Sequence, residues 1–267
     1  MVDIFEEIGH IKRIGSVAAL ATIVEGESGT PGKTGFRMLV YPDGRISGTV
    51  GGGLLEVKVR EEALQCLHDK IAKLLEFTLD EGAAEGIGMR CGGKVKVFVE
   101  PIQAAPRLYV FGGGHIALSL VQFAKLLDFE VTVIDNREEF AGKNRFSTVN
   151  DVKMGDYKEI VRSLEFRDSD CVVIVTHGHK YDEIVLKECL SKQAVPGYVG
   201  MIGSRSKVEA SFSHLKEQGV ATSQLAKVSA PVGLDIGAKS PAEIALSIMA
   251  EIVAVRYGKS PKHHIPS

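Results

Sequence analysis

The chain has 267 residues, 45% hydrophobic and 25% charged, enough to bury a sizeable core and, by length, to form about two domains. With 32 Lys and Arg against 34 Asp and Glu, neither part of the chain carries the basic excess of a nucleic-acid binder. No apolar run approaches the roughly 18 residues that span a bilayer, and the acidic first residues Asp3, Glu6 and Glu7 are unlike a signal peptide, so no membrane association and a cytoplasmic location are expected.

Ile4, Ile8 and Ile11 share one helical face, and Asp3 and Glu6 have capping-box spacing, which predicts a short amphipathic helix over residues 3–14. Residues 16–24 read as a strand, 25–35 as a loop, and 36–41 with 45–50 as a hairpin around Pro42-Asp43-Gly44. The cluster Gly48-Thr49-Val50-Gly51-Gly52-Gly53 then opens a helix to about Leu67. Consecutive glycines lose much entropy on folding, so Gly51, Gly52 and Gly53 imply either a ligand close to backbone amides or a steric need at a domain contact. Residues 73–79 and 94–100 read as strands around a polar, glycine-rich loop at 80–93, completing a small α+β domain over 1–103. Residues 101–106, bounded by Pro101 and Pro106, are the expected domain boundary.

The next stretch organises the rest. Leu108-Tyr109-Val110-Phe111 is a buried-strand run that meets Gly112-Gly113-Gly114-His115, and Ile116, Leu120, Phe123 and Leu127 then recur at helical spacing. A second apolar run, Val131-Thr132-Val133-Ile134, ends on Asp135. Strand, glycine turn, helix and strand make one βαβ unit of nucleotide-binding type. Gly112 permits the tight turn, Gly114 lets backbone approach a pyrophosphate, and Ala117 lets helix pack on strand. An anion would sit on the helix start, with His115 beside it or covering it, and Asp135 stands where a ribose hydroxyl partner would. The bland alternative is a doubly wound fold whose turn merely packs, with Asp135 a solvated strand end.

Further on, residues 157–164 predict a helix, Cys171 to Val175 a central strand, 181–190 a helix and 198–202 a strand. A helix starts at Ser206, with Ser206 and Glu209 as a capping box. The last helix is capped by Ser240 with Pro241 at its first position, runs to about Tyr257, and is apolar nearly all round, so it should be buried.

In an open parallel sheet ligands lie beyond the carboxyl ends of strands. Four groups fall there: the Gly112 to His115 turn, Asp135, Thr176-His177-Gly178-His179, and Gly203-Ser204-Arg205. The last joins a hydroxyl, a fixed cation and helix-start amides, reading either as a second anion clamp or as a surface charge beside a cap. His177 and His179 with Asp182 read less well as a metal site, because alternate residues leaving a strand do not converge; either histidine reads better as a rim hydrogen-bonding residue or as one that simply satisfies the loop. Cys66, Cys91, Cys171 and Cys189 lack metal spacing, and in a reducing compartment they would be free thiols. Cys91, in Met89-Arg90-Cys91-Gly92-Gly93-Lys94, has neighbouring cations that would raise its thiolate fraction, making it either a sulfur- or metal-contacting thiol or an inert turn cysteine.

Taken together the chain resembles the xanthine dehydrogenase accessory (XdhC/CoxI) family. The resemblance covers nearly the whole chain. It is carried by Gly29-Thr30-Pro31-Gly32 with Arg37-Met38, Gly48 through Glu56, Cys91-Gly92-Gly93, Phe111 through His115, Thr176 through His179 with Asp182, Tyr198 through Arg205, and Pro231-Val232-Gly233-Leu234-Asp235-Ile236-Gly237. It implies a small N-terminal α+β domain followed by a Rossmann-like parallel-sheet domain over 107–267, hence an α/β fold. It also implies binding of molybdenum cofactor, as molybdopterin or its dinucleotide form, with Asp235 joining the glycine turns and Arg205 as binding residues. The function implied is protection of that cofactor during sulfuration, with cysteine desulfurase as a partner, and hand-over to an apo-molybdenum hydroxylase of the xanthine dehydrogenase type, by a homodimer. The alternatives are an NAD(P)-dependent oxidoreductase and a nucleotide-binding module without turnover.

Overall fold

The computed structural model describes residues 3–27, 30–80, 86–89 and 93–259. By its contacts the chain divides into two compact units, Met1–Ala105 and Pro106–Ser267. Among the described residues no helix is long and apolar enough to cross a membrane.

The first unit runs α1 (Ile4–Ile14), β1 (Val17–Gly26), β2 (Arg37–Val40), β3 (Ile46–Gly48), α2 (Gly53–Asp69), β4 (Lys73–Asp80), β5 (Gly86–Met89) and β6 (Lys94–Gln103). Its sheet has the order β3-β2-β1-β6-β4-β5, antiparallel except for the β4–β5 pair. β1 is central because both its faces are apolar. Ala19, Ala21 and Ile23 join Leu55, Val59, Ala63 and Cys66 of α2 in one core, while the alternate residues Ala18 and Leu20 pack with Ile11 of α1 and Leu39 in another. Asp3 caps α1 by accepting the Phe5 N–H at 2.8 Å, and Gly15 ends it in the left-handed region.

Two expectations change here. The stretch read as one loop, 80–93, contains β5. The expected boundary at 101–106 contains the division after Ala105, but its first residues are strand as far as Gln103, with Pro101 paired opposite Ala19. Proline is tolerated there because β4 flanks β6 only as far as Val99, so one side of the strand is already an open edge.

The second unit runs β7 (Arg107–Phe111), α3 (His115–Leu126), β8 (Glu130–Asp135), a 3-10 turn (Glu138–Phe140), β9 (Asp151–Met154), α4 (Tyr157–Ser163), β10 (Cys171–Ile174), α5 (His179–Leu190), β11 (Tyr198–Met201), α6 (Arg205–Glu217), α7 (Thr222–Leu225) and α8 (Pro241–Arg256). All five strands are parallel, in the order β11-β10-β7-β8-β9. Helices cover both faces, which is why β7, β8 and β10 read as continuous apolar runs. On one face Leu108, Val110, Val131, Val133 and Val173 meet α3 and α8; on the other Tyr109, Phe111, Ile134, Val172 and Ile174 meet α4, α5 and α6. Each such buried aliphatic side chain contributes about 1.5–3 kcal/mol.

The α8 cap is as expected, with a complete Ser240–Glu243 capping box and Pro241 in the first turn. Its burial is one-sided instead: Ala245, Ile248, Met249 and Ile252 are buried, but Leu246 and Val255 are exposed. The Ser206–Glu209 box gives way to Ser204 as the cap of α6, without a side-chain bond to the helix start, which makes Arg205 the first helical residue. The segment after α7 covers the open edge of β11: Ser229 N–H donates to the Val199 carbonyl, and Met201 N–H to that of Ser229.

Candidate functional site

The strand order places the topological switch between β7 and β10, since the chain winds outward through β8 and β9 on one side and through β10 and β11 on the other. Gly112 lies in that crevice. Its N–H donates to the Ile134 carbonyl at 2.7 Å, its φ is +109°, and a Cβ there would stand 2.2 Å from the Val175 oxygen. Only glycine fits a turn held this tightly between two neighbouring strand ends. Gly114 caps α3 without a side-chain hydrogen bond and faces open space, and Ala117 is fully buried against the sheet. The first N–H groups of α3 have no partner within the helix, and together with the dipole they form an anion-accepting cradle. His115, the first residue of α3, is exposed beside it.

Asp135 ends β8 with its carboxylate wholly buried and filled. It accepts the Gly113 N–H at 2.7 Å, the Arg137 N–H at 3.0 Å, and two guanidinium N–H bonds from Arg137 at 2.9 Å. Burial by itself would raise this carboxyl, but the Arg137 guanidinium and the two amides outweigh it and hold the group below its usual range. Arg137 also lies 3.7 Å from the Phe140 ring centre, and Arg145 donates to the Gly113 carbonyl at 3.0 Å while stacking on the same ring. Sequence reasoning missed both arginines. Arg137 was within reach as a cation two residues past a strand-end acid; Arg145 carries no local signal.

At the end of β10, Asp182 accepts the Thr176 hydroxyl at 2.6 Å and its N–H at 3.2 Å. The Asp182 carboxyl is 3% exposed, and burial pushes it up to about 6 against the lowering effect of Thr176 and His179. α5 begins at His179, two residues earlier than expected, bringing His179 Nδ1 to 3.8 Å from Asp182 Oδ2. His177 is exposed and lies against Tyr181, ring centres 4.7 Å apart. Among the described residues no three His, Cys, Asp or Glu side chains gather as a metal site.

Gly203-Ser204-Arg205 leaves β11, two strands from β7 and therefore roughly 10 Å along the same rim. Arg205 is exposed and lines a cavity of about 430 Å³ with residues 231–238, among them Asp235. The two glycine clusters fall in different units. In the first, Gly51 has a φ of +116°, and a Cβ on it would meet Gly32 N at 2.7 Å, so close backbone packing within that unit is one reason for a glycine; Gly52 faces open space. Gly53, at a φ of +64°, is the first residue of α2. Cys91 lies outside the described residues.

A doubly wound domain with a nucleotide-type crevice, alongside a small α+β unit, is the class these features define. The chain belongs to the XdhC and CoxI family: the XdhC Rossmann domain model matches residues 108–252 and the XdhC and CoxI family model residues 13–78. It is 34% identical over 256 residues to YqeB of Escherichia coli K12, covering 96% of this chain but 46% of that protein, so it spans about half that relative's length. It is 26% identical over 282 residues to the molybdenum cofactor insertion chaperone PaoD of Escherichia coli K12, covering 94% of this chain and 87% of that protein. The crystal structure of a Bacillus halodurans xanthine dehydrogenase shares the fold at a TM-score of 0.54 and 20% identity, over 99% of this chain and 98% of the other.

Proposed function

We propose that the chain binds molybdenum cofactor, as molybdopterin or its dinucleotide form, and delivers it to an apo-hydroxylase of the xanthine dehydrogenase type. The alignment with a molybdenum cofactor insertion chaperone, which runs through both units, carries this reading. The donor set suits such a cargo. A phosphate matches the uncapped first turn of α3, where Gly114 leaves the backbone open, and Arg145 adds positive charge beside the turn. His115, His177, Ser204 and Arg205 stand on the same rim with donors for the remaining polar edges. Protection of the cofactor while a cysteine desulfurase supplies sulfur, with Cys91 near the metal or its sulfur, and a homodimeric state complete the reading. An NAD(P)-dependent oxidoreductase is less well supported, because the acid that would hold a ribose hydroxyl, Asp135, already accepts four hydrogen bonds.

Gly114→Asp gives the direct test. An aspartate at this cap satisfies α3 and has room for its side chain, so folding is retained or improved, but it sets a negative charge where the phosphate would sit. Protein purified from cells that make the cofactor is oxidised and its pterin fluorescence measured. The wild type should carry pterin and the variant at least tenfold less; no pterin on the wild type, or equal pterin on both, refutes the proposal.

A further inference from the structure

The cavity beside Arg205 holds a buried carboxylate that the glycine-turn site does not use. Its floor is one stripe of α8, Ile244, Ser247 and Glu251, and its wall is the loop of residues 231–238. Glu251 is 9% exposed. Its Oε2 accepts both the Tyr198 hydroxyl and the Gly233 N–H, the latter at 3.0 Å. Among the described residues its Oε1 has no hydrogen-bond partner, and the residue lines the cavity. Held in place on one oxygen and open to the cavity on the other, Glu251 is a positioned acceptor for a donor on a ligand. Val232, Leu234, Ile236 and Ile244 line the same space, which suits the faces of a flat ring better than a hydrated ammonium. Arg205, at the first position of α6, puts a fixed cation on the cavity lining.

A ligand meeting all three demands has a planar apolar body, an N–H donor edge and an attached anion. We infer that this cavity binds the 2-amino-4-oxo pyrimidine edge shared by pterins and guanine through Glu251, with Arg205 on the attached phosphate. This deepens the cofactor reading above and rests on it for the identity of the cargo. Either the pterin or the guanine of a dinucleotide form presents that edge, and about 430 Å³ is within the range of pockets that hold one such ring system.

The test titrates 6-hydroxymethylpterin, GMP, AMP and inorganic phosphate into the wild type, Glu251→Gln and Arg205→Ala. Glutamine keeps an acceptor for Tyr198 and Gly233 but turns an NH₂ toward the ligand's own donors, so affinity for 6-hydroxymethylpterin, GMP or both should fall at least tenfold. AMP, which lacks that edge, and phosphate alone should bind far more weakly than the preferred ligand. Arg205→Ala should weaken GMP roughly ten- to hundredfold and leave unphosphorylated 6-hydroxymethylpterin unchanged. Binding of the pterin alone assigns the cavity to the pterin; binding of GMP alone assigns it to a guanine base. Failure of both to bind, AMP binding as well as GMP, or a folded Glu251→Gln that binds like the wild type overturns the inference. If Glu251→Gln does not fold, equal GMP affinity in Arg205→Ala and the wild type overturns it instead. Copurified pterin with an indifferent Glu251→Gln removes only this cavity, whereas Glu251-dependent GMP binding without copurified pterin removes only the cofactor reading.

Discussion

Replacing Asp135 by asparagine tests whether this acid is the structural lock of the glycine turn. The carboxylate is fully buried and accepts four hydrogen bonds, from Gly113 N–H and from three N–H groups of Arg137. Asparagine supplies one acceptor oxygen and turns its NH₂ against a donor, so bonds on one oxygen are lost along with the charge. Removing one partner of a buried pair costs about 3–5 kcal/mol. Arg137 is 30% exposed and regains water, which brings the expected loss toward roughly 2–3 kcal/mol. For a chain of this length that is a fall in Tm of about 4–12 °C. The chain has no tryptophan, so far-ultraviolet circular dichroism and calorimetry are the suitable probes. Because Asp135 is held below its usual carboxylate range, its contribution is complete above the unfolded value near ~4 and is lost as pH falls through the folded one. The wild type and variant should therefore converge on acidification. A variant that melts with the wild type at neutral pH, or a gap that stays constant down to about pH 3, refutes the lock.

Asp182 should show the opposite pH dependence: its folded pKa is raised to about 6, so native stability falls as pH rises from about 4 through about 6. Asp182→Asn retains the acceptor for Thr176, and its stability relative to the wild type should improve by up to about 3 kcal/mol between pH 4 and pH 7.5 in urea titrations; a difference independent of pH would count against it. Gly112→Ala drives a Cβ into the Val175 carbonyl at a φ closed to alanine, which should cost roughly 2–5 kcal/mol in the same assay, and a loss below about 1 kcal/mol would mean the turn is looser than described.

How much of this was legible depended on whether the cause was local. The β7–turn–α3 unit could be read because glycine positions, an apolar run and a 3.6-residue period all lie within a few turns of chain, and the α8 cap because Ser240, Pro241 and Glu243 act on one another directly. β9 was missed: Asp151-Val152-Lys153-Met154 does alternate polar and apolar, but four residues on the sheet edge, none of them fully buried, are too short a run to stand out from a loop. At α6 the spacing to Glu209 pointed to Ser206 as the cap, whereas the cap is Ser204: its extended backbone is set where β11 ends, not by spacing to Glu209.

The candidate site divides along the same line. Gly112, Gly114, Asp135 and Arg205 were singled out because strand ends and helix starts mark them, but the partners that define their surroundings are remote in sequence. Arg145 meets Gly113 across 32 residues and Tyr198 meets Glu251 across 53. Asp135 shows the consequence: a strand-end acid implies a ligand contact until Arg137 is placed, and then the same acid becomes the group that fixes the loop. Glu251 shows the converse. On a helix read as apolar nearly all round, a carboxylate four residues from Ser247 and seven from Ile244 continues the inward stripe, and an ionisable group there needs a partner or a ligand. Reading α8 only as hydrophobic filling hid that demand, although the anomaly itself was present in the sequence.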